Sequence, residues 1–200
     1  MSGYQEANSL LGSALRETAC VPQTRSKIDR EQKVAEILDA AETRLRDGGL
    51  DALSVAGIAR ELDLSPNSVY WYFPSKDQLV IATVRRMLKD TFSRKPPARW
   101  GIERQILWFV EQFEGLDPLR VALHERARRS KAIEQFMKGL RKSSHELLAN
   151  ALRGQVREED LDTAAEALLA AIDGIALRRL GPKDRSRVIS YAVSHLTGNP

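Results

Sequence analysis

The chain has 200 residues, enough for one domain with a sizeable core or for two small ones. With 42% hydrophobic and 29% charged residues it has the composition of a globular protein, which excludes wholesale disorder. A net charge of +4 permits nucleic acid as a partner without requiring it, and a single cysteine, Cys20, excludes an intramolecular disulfide and fits a reducing compartment. The opening "MSGYQEANSLLGSALRE" lacks a basic region followed by an apolar core, so no secretory signal is expected. The longest apolar run, residues 167–172, is too short to cross a bilayer. A cytoplasmic protein without a membrane partner is the expectation.

No segment alternates apolar and polar residues for long, and apolar residues recur at helical spacing, so the fold is expected to be all-α. Residues 1–26 are expected to be a flexible N-terminal extension. Its last part, with Arg25 and the adjoining Lys27, is either a basic arm for a minor groove or a disordered tail. From Asp29 onward Val34, Ile37, Leu38, Ala41 and Leu45 form one apolar stripe, ended by Gly48-Gly49. Ser54 caps a short helix, Val55 to Leu62, with Val55, Ile58, Ala59 and Leu62 on one face. Asp63-Leu64 breaks the helix. Ser65 is then an N-cap, and Pro66 takes the first helical position, where its missing N–H costs nothing. This third helix runs to Phe73, before Pro74. Ser75 with Gln78 makes a capping box for a long helix, Lys76 to about Ser93.

The stretch "SRKPPARWG", residues 93–101, is a linker rich in proline and charge. Five more helices are expected, at roughly Ile102–Glu114, Pro118–Arg129, Lys131–Arg153, Glu159–Leu180 and Lys183–Leu196, giving about nine in all.

The third helix has an unusual dress. At about 100° per residue, Val69 and Phe73 fall together beside Pro66 and face the preceding helix. Asn67 and Trp71 lie nearly opposite, with Ser68 and Tyr72 on one shoulder and Tyr70 on the other. An outward tryptophan beside an asparagine and a serine is an odd surface for a monomer. Two short helices joined by a tight break make a helix-turn-helix, whose second helix enters the DNA major groove. Asparagine pairs bidentately with adenine, serine donates or accepts, and an aromatic ring meets a thymine methyl, so Asn67, Ser68 and Trp71 are candidate base readers. Tyr70, Tyr72 and Lys76 are candidate phosphate contacts, helped by the N–H groups at the helix start that Lys76 marks. Local charge does not decide the matter: between Ser54 and Lys76, Arg60 and Lys76 balance Glu61 and Asp63. On geometry alone a helical protein-interaction module anchored by Trp71 stays open beside DNA binding.

The stretch "SVAGIARELDLSPNSVYWYFPSKDQLV", Ser54–Val80, resembles the DNA-binding signature of the TetR family of bacterial transcriptional regulators. The matching residues are Ser54, Ile58-Ala59, Leu64-Ser65, Val69-Tyr70, Tyr72-Phe73, Ser75-Lys76 and Leu79. The preceding "VAEILDAAETRLRDGGLDALSV" fits the family's first helix and its glycine-rich exit. The resemblance implies a nine-helix architecture, with a three-helix DNA-binding domain at 27–75 and an effector-binding and dimerisation domain at 76–200. It further implies a transcriptional regulator, usually a repressor, that binds a palindromic double-stranded DNA operator as a homodimer and is released by a small-molecule effector. Ser54 and Ser65 then join the candidate DNA contacts. One departure stands out. The family usually has Ala-Gly in the turn where this chain has Leu62-Asp63. Glycine is favoured there because φ is positive, and aspartate tolerates that region better than most residues, so the turn is expected to survive with some strain.

In the C-terminal part, "DTAAEALLAAIDGIALRRL", Asp162–Leu180, is apolar on more than one face. Ala164, Ala165, Leu168, Ala171, Ile172, Gly174 and Ile175, with Val188, Ala192 and Leu196 of the last helix, are the expected dimer interface. The other reading is a helix buried within one large core. Phe92, Trp100, Trp108, Phe109, Phe113, His124, Phe136, Met137 and Ser144 are candidates to line an effector cavity, each also readable as plain core. The run "HERARRSK", residues 124–131, reads as a solvated face. There is no glycine-rich phosphate loop, zinc-ligand spacing or nucleophile motif, so no catalytic residue, metal or cofactor is expected and the chain is not read as an enzyme.

Overall fold

The computed structural model describes residues 27–94, 96–97, 99–113 and 116–198, with backbone alone at 27, 28, 90–93 and 117. The expected extension at 1–26, and with it the arm around Arg25 and the side chains of Lys27 and Phe92, lie outside the described residues. Among those described, the chain is all-α. The helices are α1 Lys27–Ala52, α2 Val55–Glu61, α3 Pro66–Tyr72, α4 Lys76–Ser93, α5 Ile102–Gln112, α6 Asp117–Ala127, α7 Lys131–Leu152, α8 Leu161–Arg178 and α9 Pro182–Leu196, with a 3₁₀ turn at Glu158–Asp160 before α8.

The helix ends follow from local chemistry. In α1 the backbone leaves helical geometry at Gly48 (φ −146°) and Gly49 (φ 65°, ψ −157°), a conformation that a side chain would resist. α2 opens on Ser54, whose Oγ accepts from the Gly57 N–H at 3.2 Å. It closes in a Schellman arrangement: the Leu64 N–H donates to the Ala59 carbonyl at 2.8 Å and the Asp63 N–H to that of Arg60 at 3.4 Å. The left-handed residue this motif demands is Asp63, at φ 52°. α3 begins at once, with the Ser65 Oγ accepting from the Ser68 N–H at 3.0 Å and Pro66 at the first position. The Ser75 Oγ caps α4 by accepting from the Gln78 N–H at 3.1 Å.

The described residues fall into two compact units. One holds α1–α4, α6 and the start of α7, as residues 27–93 and 118–137. The other holds α5, the rest of α7, α8 and α9, as residues 94–117 and 138–198. The unit that contains the helix-turn-helix therefore continues past residue 75, where the sequence suggested a boundary.

In the first unit Ile37, Ala41, Leu45, Ile58, Val69 and Leu79 are buried around the α1–α4 core. A charged clamp ties α1 to α4. The Arg86 guanidinium meets Asp39 at 2.8 Å and Glu42 at 2.9 Å, and also donates to the Ala35 carbonyl at 3.3 Å. Burial pushes the Glu42 carboxyl up, but hydrogen bonds from Arg46 and Arg86 outweigh it and hold the carboxyl below the usual carboxylate range. In the second unit Ile106, Leu148, Leu152, Leu161, Ala165, Leu168, Ile189 and Val193 form the core.

The strain at Asp63 is testable. A left-handed non-glycine residue costs on the order of 1 kcal/mol, so Asp63→Gly is expected to raise unfolding free energy by about 0.5–1 kcal/mol and Asp63→Val to lower it by about 1–2 kcal/mol. Urea unfolding of the two variants checks both signs; a destabilised glycine variant would show that the aspartate side chain itself holds the turn.

Candidate nucleic-acid interface

The α2–α3 junction fixes which side of α3 faces out. Val69 is fully buried, and Phe73 is buried just past the helix end. These two were expected to be the inward side. Asn67 is exposed, Tyr70 is 43% exposed, and Ser68, Trp71 and Lys76 are half-buried. Asn67, Ser68, Tyr70 and Trp71 therefore share the outer part of α3, with Lys76 opening the next helix. In an α-helix the first N–H groups have no partner within the helix, so the α4 start presents donors beside Lys76.

Two expectations need correction. Tyr72 was placed on an outer shoulder as a phosphate contact, yet it is 2% exposed. The reason is its spacing from Val69: residues three apart on a helix are neighbours, and Tyr72 follows Val69 into the core. Trp71 was expected to be fully outward and is instead half-buried, its ring packed edge-on against Tyr72 with centroids 4.8 Å apart and planes at 87°. Tyr72 thus serves as the inner support for the ring that faces out.

Ser54 and Ser65 use their Oγ lone pairs on helix capping. The Ser65 and Ser68 hydroxyls also pair with each other at 2.8 Å, which orients Ser68 on α3.

The candidate effector residues do not gather within one compact unit. Trp100, Trp108, Phe109, Phe113 and Ser144 belong to the second, and His124, Phe136 and Met137 to the first. Within the second unit the Arg104 guanidinium lies over the Trp100 ring at 4.1 Å, and Trp108 meets Phe109 edge-on at 5.0 Å. Within the first, Phe136 is buried under the Arg85 guanidinium at 5.7 Å, while His124 is exposed.

The dimer expectation also divides. Ala164, Ala165, Leu168 and Ile175 are buried inside their own unit, so they lie on the inner face of α8, not on an outer one. Ala171, Ile172 and Gly174, with Val188, Ala192 and Leu196 of α9, keep partial exposure. The most exposed large apolar residues nearby are Leu177, 71% exposed, and Tyr191, 67% exposed, neither of which the sequence pattern singled out. The signal was present for Leu177, which lies one turn beyond Gly174 on the same side of α8.

Substitutions separate surface from support. Asn67→Ala is expected to leave the melting temperature unchanged and to cost about 1–3 kcal/mol in affinity for a specific DNA site. Tyr72→Ala is expected to lose about 3–5 kcal/mol of stability through the cavity it leaves. Denaturation of both variants decides the assignment: an unfolded Asn67→Ala or an unaffected Tyr72→Ala would reverse it.

Residues 37–83 match the family model of bacterial regulatory proteins of the tetR family. The HTH-type transcriptional regulator BetI of Rhizobium meliloti (strain 1021) is 28% identical over 153 residues, 72% of this chain and 75% of that protein. The HTH-type transcriptional repressor KstR of Rhodococcus jostii (strain RHA1) is 29% identical over 102 residues, 49% of this chain and 48% of its own length. In fold, the chain is similar to a protein of Saccharomonospora viridis described as a transcriptional regulator, solved in complex with choline. The TM-score is 0.60 and the identity 20%, over 84% of this chain and 95% of the other. These relatives are described as transcriptional regulators. Helix-turn-helix geometry, family model and relatives agree: residues 37–83 match the DNA-binding region of the tetR family, in a chain similar to TetR-family transcriptional regulators.

Proposed function

We propose that the chain is a cytoplasmic repressor that binds a near-palindromic operator as a homodimer and leaves it when a small molecule binds. The outward set on α3 is the observation that carries the reading: exposed Asn67 and Tyr70 with half-buried Ser68 and Trp71, between the Ser65 cap and Lys76. Asn67, Ser68 and Trp71 meet base edges, and Tyr70 and Lys76 meet phosphates. Repression is supported by the description of KstR as a repressor. Residues 27–75, with Lys76 just beyond them, carry the helix-turn-helix contact with DNA, and the effector and the partner subunit are met from within residues 76–200.

A second copy is favoured by the outer side of α8 and α9. Leu177 and Tyr191 expose large apolar surfaces close in sequence to Ala171, Gly174, Val188 and Ala192, a surface that a soluble monomer has reason to cover. A Cβ built at Gly174 meets no atom within 4 Å, so a side chain there fits the subunit and obstructs only what docks on it. Light scattering is expected to give twice the chain mass for the unmodified protein and a folded monomer for Gly174→Arg. An unmodified monomer would end the dimer reading.

Footprinting of DNA fragments selected by the protein should reveal paired half-sites with centres about 34–36 Å apart, or a small multiple of that. Single, unpaired sites would contradict the reading. For the effector, choline is the first ligand to test. It is bound by a protein of the same fold, and aromatic rings such as Trp108 and Phe109 are the side chains that hold a quaternary ammonium. An effector coupled to DNA binding shifts operator affinity by about 1–3 kcal/mol, or roughly 5–150-fold. Titration of the operator complex with choline is expected to weaken it within that range, and an affinity that choline leaves unchanged would exclude this ligand as the effector.

A further inference from the structure

The recognition helix is short of charge. Among residues 66–72 there is no cation, and in α2 the one arginine, Arg60, precedes Glu61, which itself pairs with Arg44 at 2.6 Å. Yet the phosphate backbone dominates the affinity of proteins for DNA and is met chiefly by lysine and arginine. Lys76 and the exposed Arg60 of α2 supply only part of that. The missing cations lie on a different element of the same compact unit.

The end of α6, the turn after it and the first residue of α7 carry Arg126, Arg128, Arg129 and Lys131, against the single carboxylate of Glu125 within residues 125–131. Its position is fixed by an ion pair. The Arg126 Nε and Nη2 each reach the Asp77 Oδ1 at 3.0 Å, and Asp77 is the residue after Lys76 in the first turn of α4. The turn is ordered by its own backbone. The Arg128 N–H donates to the Glu125 carbonyl at 3.2 Å, the Arg129 N–H to that of Arg126 at 3.0 Å, and the Ser130 Oγ caps α7 by accepting from the Ile133 N–H at 3.3 Å. Arg128, Arg129 and Lys131 are all exposed. Arg128 and Arg129 follow Arg126 by two and three residues, so their Cα atoms lie within about 11 Å of its own. The pairing has a second consequence. Asp77 would repel a phosphate held at Lys76, and Arg126 neutralises it.

We propose that Arg128, Arg129 and Lys131 form a second DNA contact outside the helix-turn-helix, gripping backbone phosphates beside those held by Lys76. The contact rests on the DNA-binding reading of α3 and adds to it a source of affinity without base selectivity. Arg126 acts as the positioning residue, since its side chain is spent on Asp77.

The test uses the full chain and a duplex of random sequence about 40 base pairs long, titrated between roughly 50 and 200 mM salt. The plot of log affinity against log salt has a slope of about 0.9 per phosphate neutralised. The variant Arg128→Gln/Arg129→Gln/Lys131→Gln is expected to keep the melting temperature and dimer state and to bind less tightly at low salt. Its slope should be shallower by about 2 or more. Lys76→Gln provides the reference, with a loss of about one unit. Should the triple variant melt early, the three single variants carry the measurement, each with a loss of about 0.9. If Lys76→Gln flattens the slope while the turn variants leave it unchanged, the second contact does not exist and the DNA reading stands. If the unmodified protein fails to bind the duplex at low salt, the DNA reading fails and this contact with it.

Discussion

The outward presentation of α3 depends on the hydrogen bonds that close α2 and open the next helix within four residues. The Schellman pair from Leu64 and Asp63 turns the chain, and the Ser65 cap restarts it before the backbone can wander. Because both ends are fixed, the direction of every side chain between Pro66 and Tyr72 is fixed too. Val69 and Tyr72 go in, and Asn67 and Tyr70 go out. A DNA reader needs this rigidity: a base edge must be met within hydrogen-bond tolerance, and an α3 rolled by one residue, about 100°, would carry Asn67 off its outer face.

The junction carries its own strain. Asp63 stands in the left-handed region where glycine is the usual occupant, so the turn is held against a preference of its own residue. Its surroundings over-determine it. Val69, Phe73 and Ile58 are buried on one side of the junction, and two backbone bonds close the other. In the same unit α1 and α4 are tied together by Arg86, which meets Asp39 and Glu42.

Local signals were the legible ones. Ser54, Ser65 and Ser75 declare helix starts by a mechanism that acts within three residues, and Gly48-Gly49 breaks α1 near its end in the same local way. What the sequence hid was which of two plausible faces a neighbour would cover. Tyr72 sits at the margin between inner and outer sides of a helix with barely two turns, and only the packing below decides for the core. α8 is apolar all round, so periodicity could not say that Ala164, Ala165, Leu168 and Ile175 point inward while Leu177 stays out. The effector candidates were read as one group across the middle helices, from Phe92 to Ser144. In the fold Trp100 takes Arg104 as its neighbour and Trp108 takes Phe109, each a short-range partnership.

Placement of charge completes the argument about binding. Selectivity and affinity for DNA come from different chemistry: hydrogen bonds to base edges select, and cations on phosphates bind. In this chain the two are separated along the sequence. α3 carries asparagine, serine and aromatic rings but no formal charge, so it can discriminate bases while adding little to sequence-blind attraction. A regulator built this way gains selectivity, because an uncharged reading helix gives up little electrostatic energy on leaving a wrong site. The electrostatic share must then come from cations placed where they meet backbone at any sequence. In the proposed reading Lys76 is one of these, and the ordered turn tethered to Asp77 by Arg126 holds a further group in the same compact unit.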